Sequence, residues 1–138
     1  MNFLKTTTLG LFFSLIPAIF VQNVADAKSL VGDRVIVRAL DKVTARTLDL
    51  SIGINQSVRY GTLEITARKC LKRPPEDTPE TSTFLEIREL KQDEDALLVF
   101  NGWMFASSPA LNALEHPVYD VWVIDCKISE GPASTDNE

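Results

Sequence analysis

Four side chains in one short segment have the chemistry of a hydrolytic site. Ser107 and Ser108 supply hydroxyl groups, and His116 supplies an imidazole. Asp120 adds a carboxylate, which completes the nucleophile, base and orienting group of a hydrolase triad. No GxSxG nucleophile elbow accompanies them, and Ser108 before Pro109 also fits a helix N-cap. The segment therefore allows a small hydrolase, with a structural role as the alternative.

Glu115, His116 and Asp120 are also possible metal ligands. Adjacent side chains on a helix point away from each other, so this spacing matches no helical metal motif. The chain has two Cys and one His, too few to close a four-ligand zinc site without carboxylates. The sequence predicts neither a metal nor another cofactor.

The apolar segments around these residues favour a binding surface. Gly102 interrupts a run of large side chains, and a glycine inside such a strand often marks where a ligand or another backbone comes close. We predict a groove for a peptide, an acyl chain or a sugar. Its residues are Gly102, Trp103, Glu115, His116 and Tyr119. The alternative is that the aromatic side chains here belong to the core.

A second candidate surface is basic. Its members are Arg68, Lys69, Lys72 and Arg73. Such a cluster fits an anionic lipid head group or an anionic glycan. Acidic residues follow at Glu76, Asp77 and Glu80, so the alternative is a solvated strand end whose charges pair across the next loop, which contributes little to stability.

Composition limits the class of protein. The 138 residues include 14 Lys and Arg against 19 Asp and Glu, which gives a net charge of −5. That balance disfavours a basic nucleic-acid binder, and a hydrophobic content of 45% disfavours a disordered chain. The length fits one small domain.

The N-terminus is typical of a secretory signal peptide. Lys5 precedes an apolar run over 9–21, and Ala25 and Ala27 form a small-x-small cleavage pattern. The run is shorter than the roughly 20 residues of a spanning helix, which leaves an uncleaved membrane anchor as the weaker alternative. We expect residues 1–27 to be removed, which places a product that does not span the membrane in the periplasm.

Two thiols, Cys70 and Cys126, remain in the exported chain. An even number of cysteines in an oxidising compartment predicts a structural disulfide. A redox-active pair is the alternative, although catalytic thiols usually lie two residues apart.

The exported chain contains segments with the residue patterns of β-strands, most of them with alternating apolar and polar residues. Six such segments lie at 34–40, 46–54, 58–70, 84–90, 97–106 and 118–126. The last two are apolar on both faces, which predicts strands in the middle of the structure. We expect an all-β fold, a small antiparallel sandwich or partly open barrel of six or seven strands.

The remaining segments set the boundaries of this domain. A short helix is predicted over about 109–115, between Pro109 and Pro117. The acidic, proline-rich segment 73–83 is predicted to be an exposed loop. Residues 28–128 then form a single β domain, and 129–138 a disordered tail.

The run FNGWMFASSPALNALEHPVYDVWVIDC, with LDKVTART, YGTLEI and ARKCLKRPPEDTPETSTFLEI before it, carries a family resemblance. Over about residues 35–127 the chain resembles an uncharacterised bacterial family known as domain of unknown function 2155. The resemblance implies an exported protein of Gram-negative bacteria and brings no activity, substrate or catalytic residue with it.

The predicted compartment says more about function than the candidate reactive residues do. We expect a periplasmic, disulfide-stapled β module that binds or supports another component of the cell envelope and does not bind nucleic acid. The alternative is the small hydrolase of the 107–120 segment. An enzyme should bring its triad within hydrogen-bond reach in a pocket, whereas a binding module should show an apolar groove or sheet edge.

Overall fold

A computed structural model describes residues 28–129 and confirms the all-β fold. Eight strands form two antiparallel sheets that pack face to face and do not close into a barrel, so the sandwich alternative holds. The predicted signal peptide, residues 1–27, and residues 130–138 of the predicted tail lie outside the described residues. Ser129, the first residue of that tail, is held by hydrogen bonds to the Asp33 carboxylate.

The first sheet has five strands. They are β1 (Leu30–Val31), β4 (Ser57–Tyr60), β5 (Leu63–Lys72), β6 (Thr81–Glu89) and β7 (Leu97–Phe105). Strand β5 pairs with β6 on one side and with both β1 and β4 on the other, and β7 pairs with β6. The two short strands β1 and β4 raise the count from the six or seven expected to eight.

The second sheet has three strands in the order β3-β2-β8. They are β2 (Arg34–Asp41), β3 (Arg46–Gly53) and β8 (Tyr119–Lys127). Val35, Val37 and Ala39 of β2 are fully buried, because alternate side chains of a strand share one face. They pack against Ile65, Leu85 and other apolar side chains of the first sheet in one core.

A cross-link joins the two sheets at one end, which we call the disulfide end. The sulfurs of Cys70 on β5 and Cys126 on β8 lie at disulfide distance, as the sequence predicts, and their Cα atoms are 5.9 Å apart. Beside them Lys72 of β5 donates to Asp125 of β8 at 2.8 Å. Gly32, between β1 and β2, packs directly against both sulfurs.

Strands β7 and β8 occupy different positions from those expected. Each lies at an edge of its own sheet, not in the middle. Their second apolar faces are only partly covered: Trp103 packs edge-on against Phe84 on the outer face of the first sheet, and Ile124 is 38% exposed. An apolar run on both faces therefore did not indicate a central strand in this chain.

The helix predicted over about 109–115 is wrong. The structure has a single 3-10 turn, Pro109–Leu111, and the Ser108 side chain makes no capping hydrogen bond. Asn112 donates to the carbonyl of Trp103, while Leu114 and His116 are buried. Side chains at every second residue lie on the same face only when the backbone is extended. These contacts therefore require an extended chain here and override the local helix propensity.

We predict that Gly32→Ala destabilises the domain more than Gly102→Ala. A Cβ at Gly32 would lie 2.6 Å from the carbonyl oxygen of Lys127 and closer still to Cys126 Sγ, so the cost is roughly 1–3 kcal/mol. A Cβ at Gly102 would lie 2.9 Å from the movable amide end of Asn112 and at an ordinary contact distance, 3.7 Å, from the Phe100 ring. Urea unfolding of both variants measures the difference. Equal losses would contradict this account of the disulfide end.

Candidate functional site

His116 is held in place by three hydrogen bonds. Its Nδ1 atom accepts the backbone N–H groups of Val118 and Tyr119, both at 3.1 Å. The proton of the neutral ring must then be on Nε2, which lies 3.2 Å from Oε1 of Glu89. The ring also stacks on Tyr119 and is only 8% exposed. These contacts give His116 a structural task, ordering the chain as it enters β8.

The structure does not assemble the candidate triad. Ser107 donates its hydroxyl and its backbone N–H to the carboxylate of Glu80. Asp120 pairs with Lys42 at 3.3 Å, and His116 uses Glu89. Ser107, His116 and Asp120 therefore each bond to a partner outside the triad, while Ser108 is exposed and its side chain makes no capping hydrogen bond.

Two features are absent from the described part of the chain. Among residues 28–129, no group of three or more His, Cys, Asp and Glu side chains could hold a metal ion. Within the same range no helix has the length and apolar character needed to cross a membrane. The three possible ligands also have separate surroundings, since Glu115 is exposed while His116 and Asp120 have the partners given above.

Gly102 does mark a close approach, but the approaching group belongs to the protein. The amide of Asn112 crosses the edge of β7 there and donates to Trp103 O at 2.8 Å. The Trp103 ring lies on the outer face of the first sheet against Phe84. Residues 102 and 103 therefore face opposite sides of the sheet and do not form one groove.

Tyr119 lies at the end of the sandwich opposite the disulfide. Its ring contacts Tyr60 edge-on, with centroids 5.6 Å apart, and packs against the backbone of Gly61. Gly61 has a φ of +57° in the turn between β4 and β5, a conformation that glycine adopts without strain. With these neighbours Tyr119 lines a shallow depression of about 430 Å³.

The basic quartet divides between two surfaces. Arg68 pairs with Glu86 at 3.3 Å on the outer face of the first sheet, where Lys69 also lies. Lys72 points between the sheets to Asp125, and Arg73 begins the loop to β6. The partners of Arg68 and Lys72 come from other strands, and not from the acids of the next loop.

A groove of about 650 Å³ opens at the disulfide end. We call it the end groove. Four segments that are distant in sequence form it: β1, the 73–80 loop, the residues that follow β7, and the end of β8 with the residues that follow. Its apolar members are Leu30, Pro74, Pro75, Pro79, Ala106, Ile124, Cys126 and Ile128. Leu30, Ile124 and Ile128 remain 38%, 38% and 41% exposed.

Asp125 lies at the base of the end groove. Burial by itself would raise the pKa of its carboxyl group, but hydrogen bonds from Lys127, Lys72 and the backbone N–H of Cys126 outweigh that effect and lower the pKa to about 2. Lys72 and Lys127 approach to 2.8 and 2.7 Å. The carboxylate therefore stays charged and fully engaged across the physiological range.

Sequence reasoning missed the end groove, although Lys72 and Arg73 of the basic quartet and the candidate nucleophile Ser107 line it. Its apolar residues come from four separate segments, so no local motif reports it. One signal was present: β8 is apolar on both faces, and a strand with more apolar side chains than the core can take leaves some at the surface. Ile124 is such a side chain.

Comparison with known proteins gives a family and a relative. The family described as "Uncharacterized protein conserved in bacteria (DUF2155)" matches residues 35–126. An uncharacterized protein of Rickettsia prowazekii (strain Madrid E) is 32% identical over 102 residues, which are 74% of this chain. The matched chain spans 64% of that relative's length. No solved structure matches.

We predict that His116→Ala lowers the free energy of unfolding by roughly 1–3 kcal/mol, because two backbone N–H groups lose their acceptor. Glu115→Ala is the matched control, since this neighbour is exposed. Thermal and urea unfolding of the three proteins compare the effects. Unchanged stability of His116→Ala would contradict the structural task assigned to the ring.

A second prediction concerns pH and Asp125. Its folded pKa of about 2 lies below the ordinary 3.8, so between these values the unfolded chain binds the proton more readily. The carboxylate stabilises the fold fully above about pH 4, and this contribution is lost as the pH falls through about 2. Urea unfolding from pH 7 to pH 2 should show Asp125→Asn less stable than the parent at neutral pH, with a gap that closes in acid. A gap independent of pH would refute this, and Asp95→Asn controls for loss of a surface charge.

Proposed function

This chain belongs to the family of uncharacterized bacterial proteins that it matches over residues 35–126, and we propose that it is a periplasmic binding module. The module holds part of another envelope component in the end groove and performs no chemistry. This role is proposed for the present chain alone, because the match covers only 64% of the Rickettsia relative.

The observation that carries the proposal is the apolar lining of the end groove. Three aliphatic side chains, Leu30, Ile124 and Ile128, surround one opening and keep more than a third of their surface in water. Contiguous apolar surface of this kind typically marks a site for a ligand or a partner. Pockets of several hundred Å³ are the usual size of ligand sites.

A periplasmic location is supported by the sequence and by the cross-link. The apolar run over 9–21 and the alanines before Lys28 fit an exported precursor. A cysteine pair at disulfide distance is usual in an oxidising compartment and uncommon in the cytosol.

The hydrolase alternative has no comparable support. Ser107 is bound to Glu80, and His116 has both ring nitrogens engaged elsewhere. A general base needs a free acceptor within reach of its nucleophile, and neither ring nitrogen meets that need in this arrangement.

The location predicts the form of the protein recovered from cells. Mass spectrometry of the exported protein should give a chain that begins at Lys28, with residues 1–27 removed and no free thiol at Cys70 or Cys126. Recovery of a full-length chain with two free thiols would contradict export and oxidation together.

The binding role predicts a contact at one end of the molecule. A photo-crosslinking residue placed at Ile128 in the full chain should give one dominant adduct in the cell envelope. The same residue at Val43, which is 78% exposed and lies outside the end groove, should give none of this product. The adduct at position 128 should also disappear when Ile124→Glu places a charge in the groove.

Equal labelling from positions 43 and 128, or an adduct insensitive to Ile124→Glu, would contradict a role for the end groove. The substitutions at Val43, Ile124 and Ile128 all change exposed or partly exposed side chains, so circular dichroism is expected to show an unchanged fold.

A further inference from the structure

We infer that the end groove binds a single hydrocarbon chain, the acyl chain of a monoacyl lipid. The inference rests on the proposed function and names its ligand class. It depends on which polar groups of the groove are free to bond and which are already occupied.

The polar side chains at the base of the end groove are satisfied within the protein. Asp125 accepts from Lys72, Lys127 and the N–H of Cys126. Glu80 accepts from the N–H of Thr81 and from Ser107. The base therefore offers its occupant carbon surface and few unused donors or acceptors.

A peptide would be poorly matched to such a surface. Each amide group that leaves water without a partner costs free energy, and an extended peptide usually meets that need by pairing with a strand edge. Two edge strands, β1 and β8, border the groove. Strand β1 is only two residues long, which is too short to pair with an added strand, and in β8 the N–H of Cys126 is occupied by the Asp125 carboxylate at 2.8 Å. Side-chain capping of this kind blocks an edge against added strands.

A hydrocarbon chain has no polar group to satisfy. Along the groove it would contact Leu30, Ile124 and Ile128 on the side of the strands and the prolines of the 73–80 loop on the other. These aliphatic carbons leave water together with the chain, which is the favourable term in apolar binding. No aromatic side chain lines the groove to stack on a sugar ring.

The charged side chains that line the groove do not favour a ligand of either charge. Three cations and three carboxylates line the groove: Lys72, Arg73, Lys127, Asp77, Glu80 and Asp125. They cancel one another, so the groove presents no net field that selects a charged ligand. Arg73 and Asp77 are exposed on the loop, where a head group of either sign or a zwitterion meets one partner. Affinity should follow chain length and not head-group charge.

The test uses lysophosphatidylcholines with acyl chains of increasing length, each below its micelle concentration. Isothermal titration calorimetry gives the affinity, and methyl NMR spectra of the isoleucines locate the site. Affinity should rise by about two- to fourfold per added methylene until the chain outgrows the groove. An anionic lysophosphatidylglycerol of equal chain length should bind within about threefold. The methyl signals of Ile124 and Ile128 should shift while that of Ile65 in the core stays fixed.

Two variants complete the test. Ile124→Glu places a charge in the groove and should weaken binding at least tenfold, whereas Val43→Glu adds the same charge at the opposite end and should leave binding unchanged. Equal weakening in both variants would overturn the inference.

The result is separable from that for the proposed function. If an aliphatic peptide with blocked ends shifts Ile124 and Ile128 and the lysolipids do not, the acyl inference is wrong while the binding module stands. If the lysolipids fail and the adduct at position 128 is insensitive to Ile124→Glu, both proposals are wrong.

Discussion

The link between β5 and β8 at the disulfide end is the constraint on which the rest of this structure depends. A sandwich of two small open sheets buries a limited core, and residues at its end have few neighbours. Here Cys70 and Cys126 bring the sheets together at disulfide distance, and Lys72 and Asp125 add an ion pair directly beside them. Gly32 must be a glycine because the chain crosses between the sheets against these sulfurs.

The parts of the fold that follow local rules could be predicted from the sequence. Alternation along β2 predicts its buried face, Val35, Val37 and Ala39, whereas on β3 only Ile52 of the alternating set is buried and Leu48 is exposed. The even number of cysteines, with the expectation of export, predicts that Cys70 and Cys126 are paired, and they lie at disulfide distance. Prediction failed where tertiary contacts override local preference. Asn112, Leu114 and His116 hold an extended chain in a segment of good helix formers. The apolar outer faces of β7 and β8 suggested central strands, because a sequence does not show that Trp103 packs against Phe84.

The candidate site was harder to predict than the fold, for a related reason. The 107–120 segment has several reactive residue types close in sequence, yet Ser107, His116 and Asp120 bond to three different parts of the fold. The end groove has the opposite character. Leu30, Pro79 and Ile124 are far apart in sequence and meet only because β1, the 73–80 loop and β8 reach the same end of the sandwich. Residue types show which chemistry is possible, whereas the topology of the fold decides which side chains come into contact.

The positions of Lys28 and Ser129 at the same end of the sandwich have a mechanical consequence. The described chain enters at Lys28 and leaves at Ser129, and both points lie at the disulfide end, where Asp33 holds Ser129. Tension between these ends would act first on the few hydrogen bonds around Gly32 and Asp33. The cross-link between Cys70 and Cys126 shields the span of 56 positions between them from extension. A load would therefore reach the region of the end groove before it reached β6, β7 or the His116 turn.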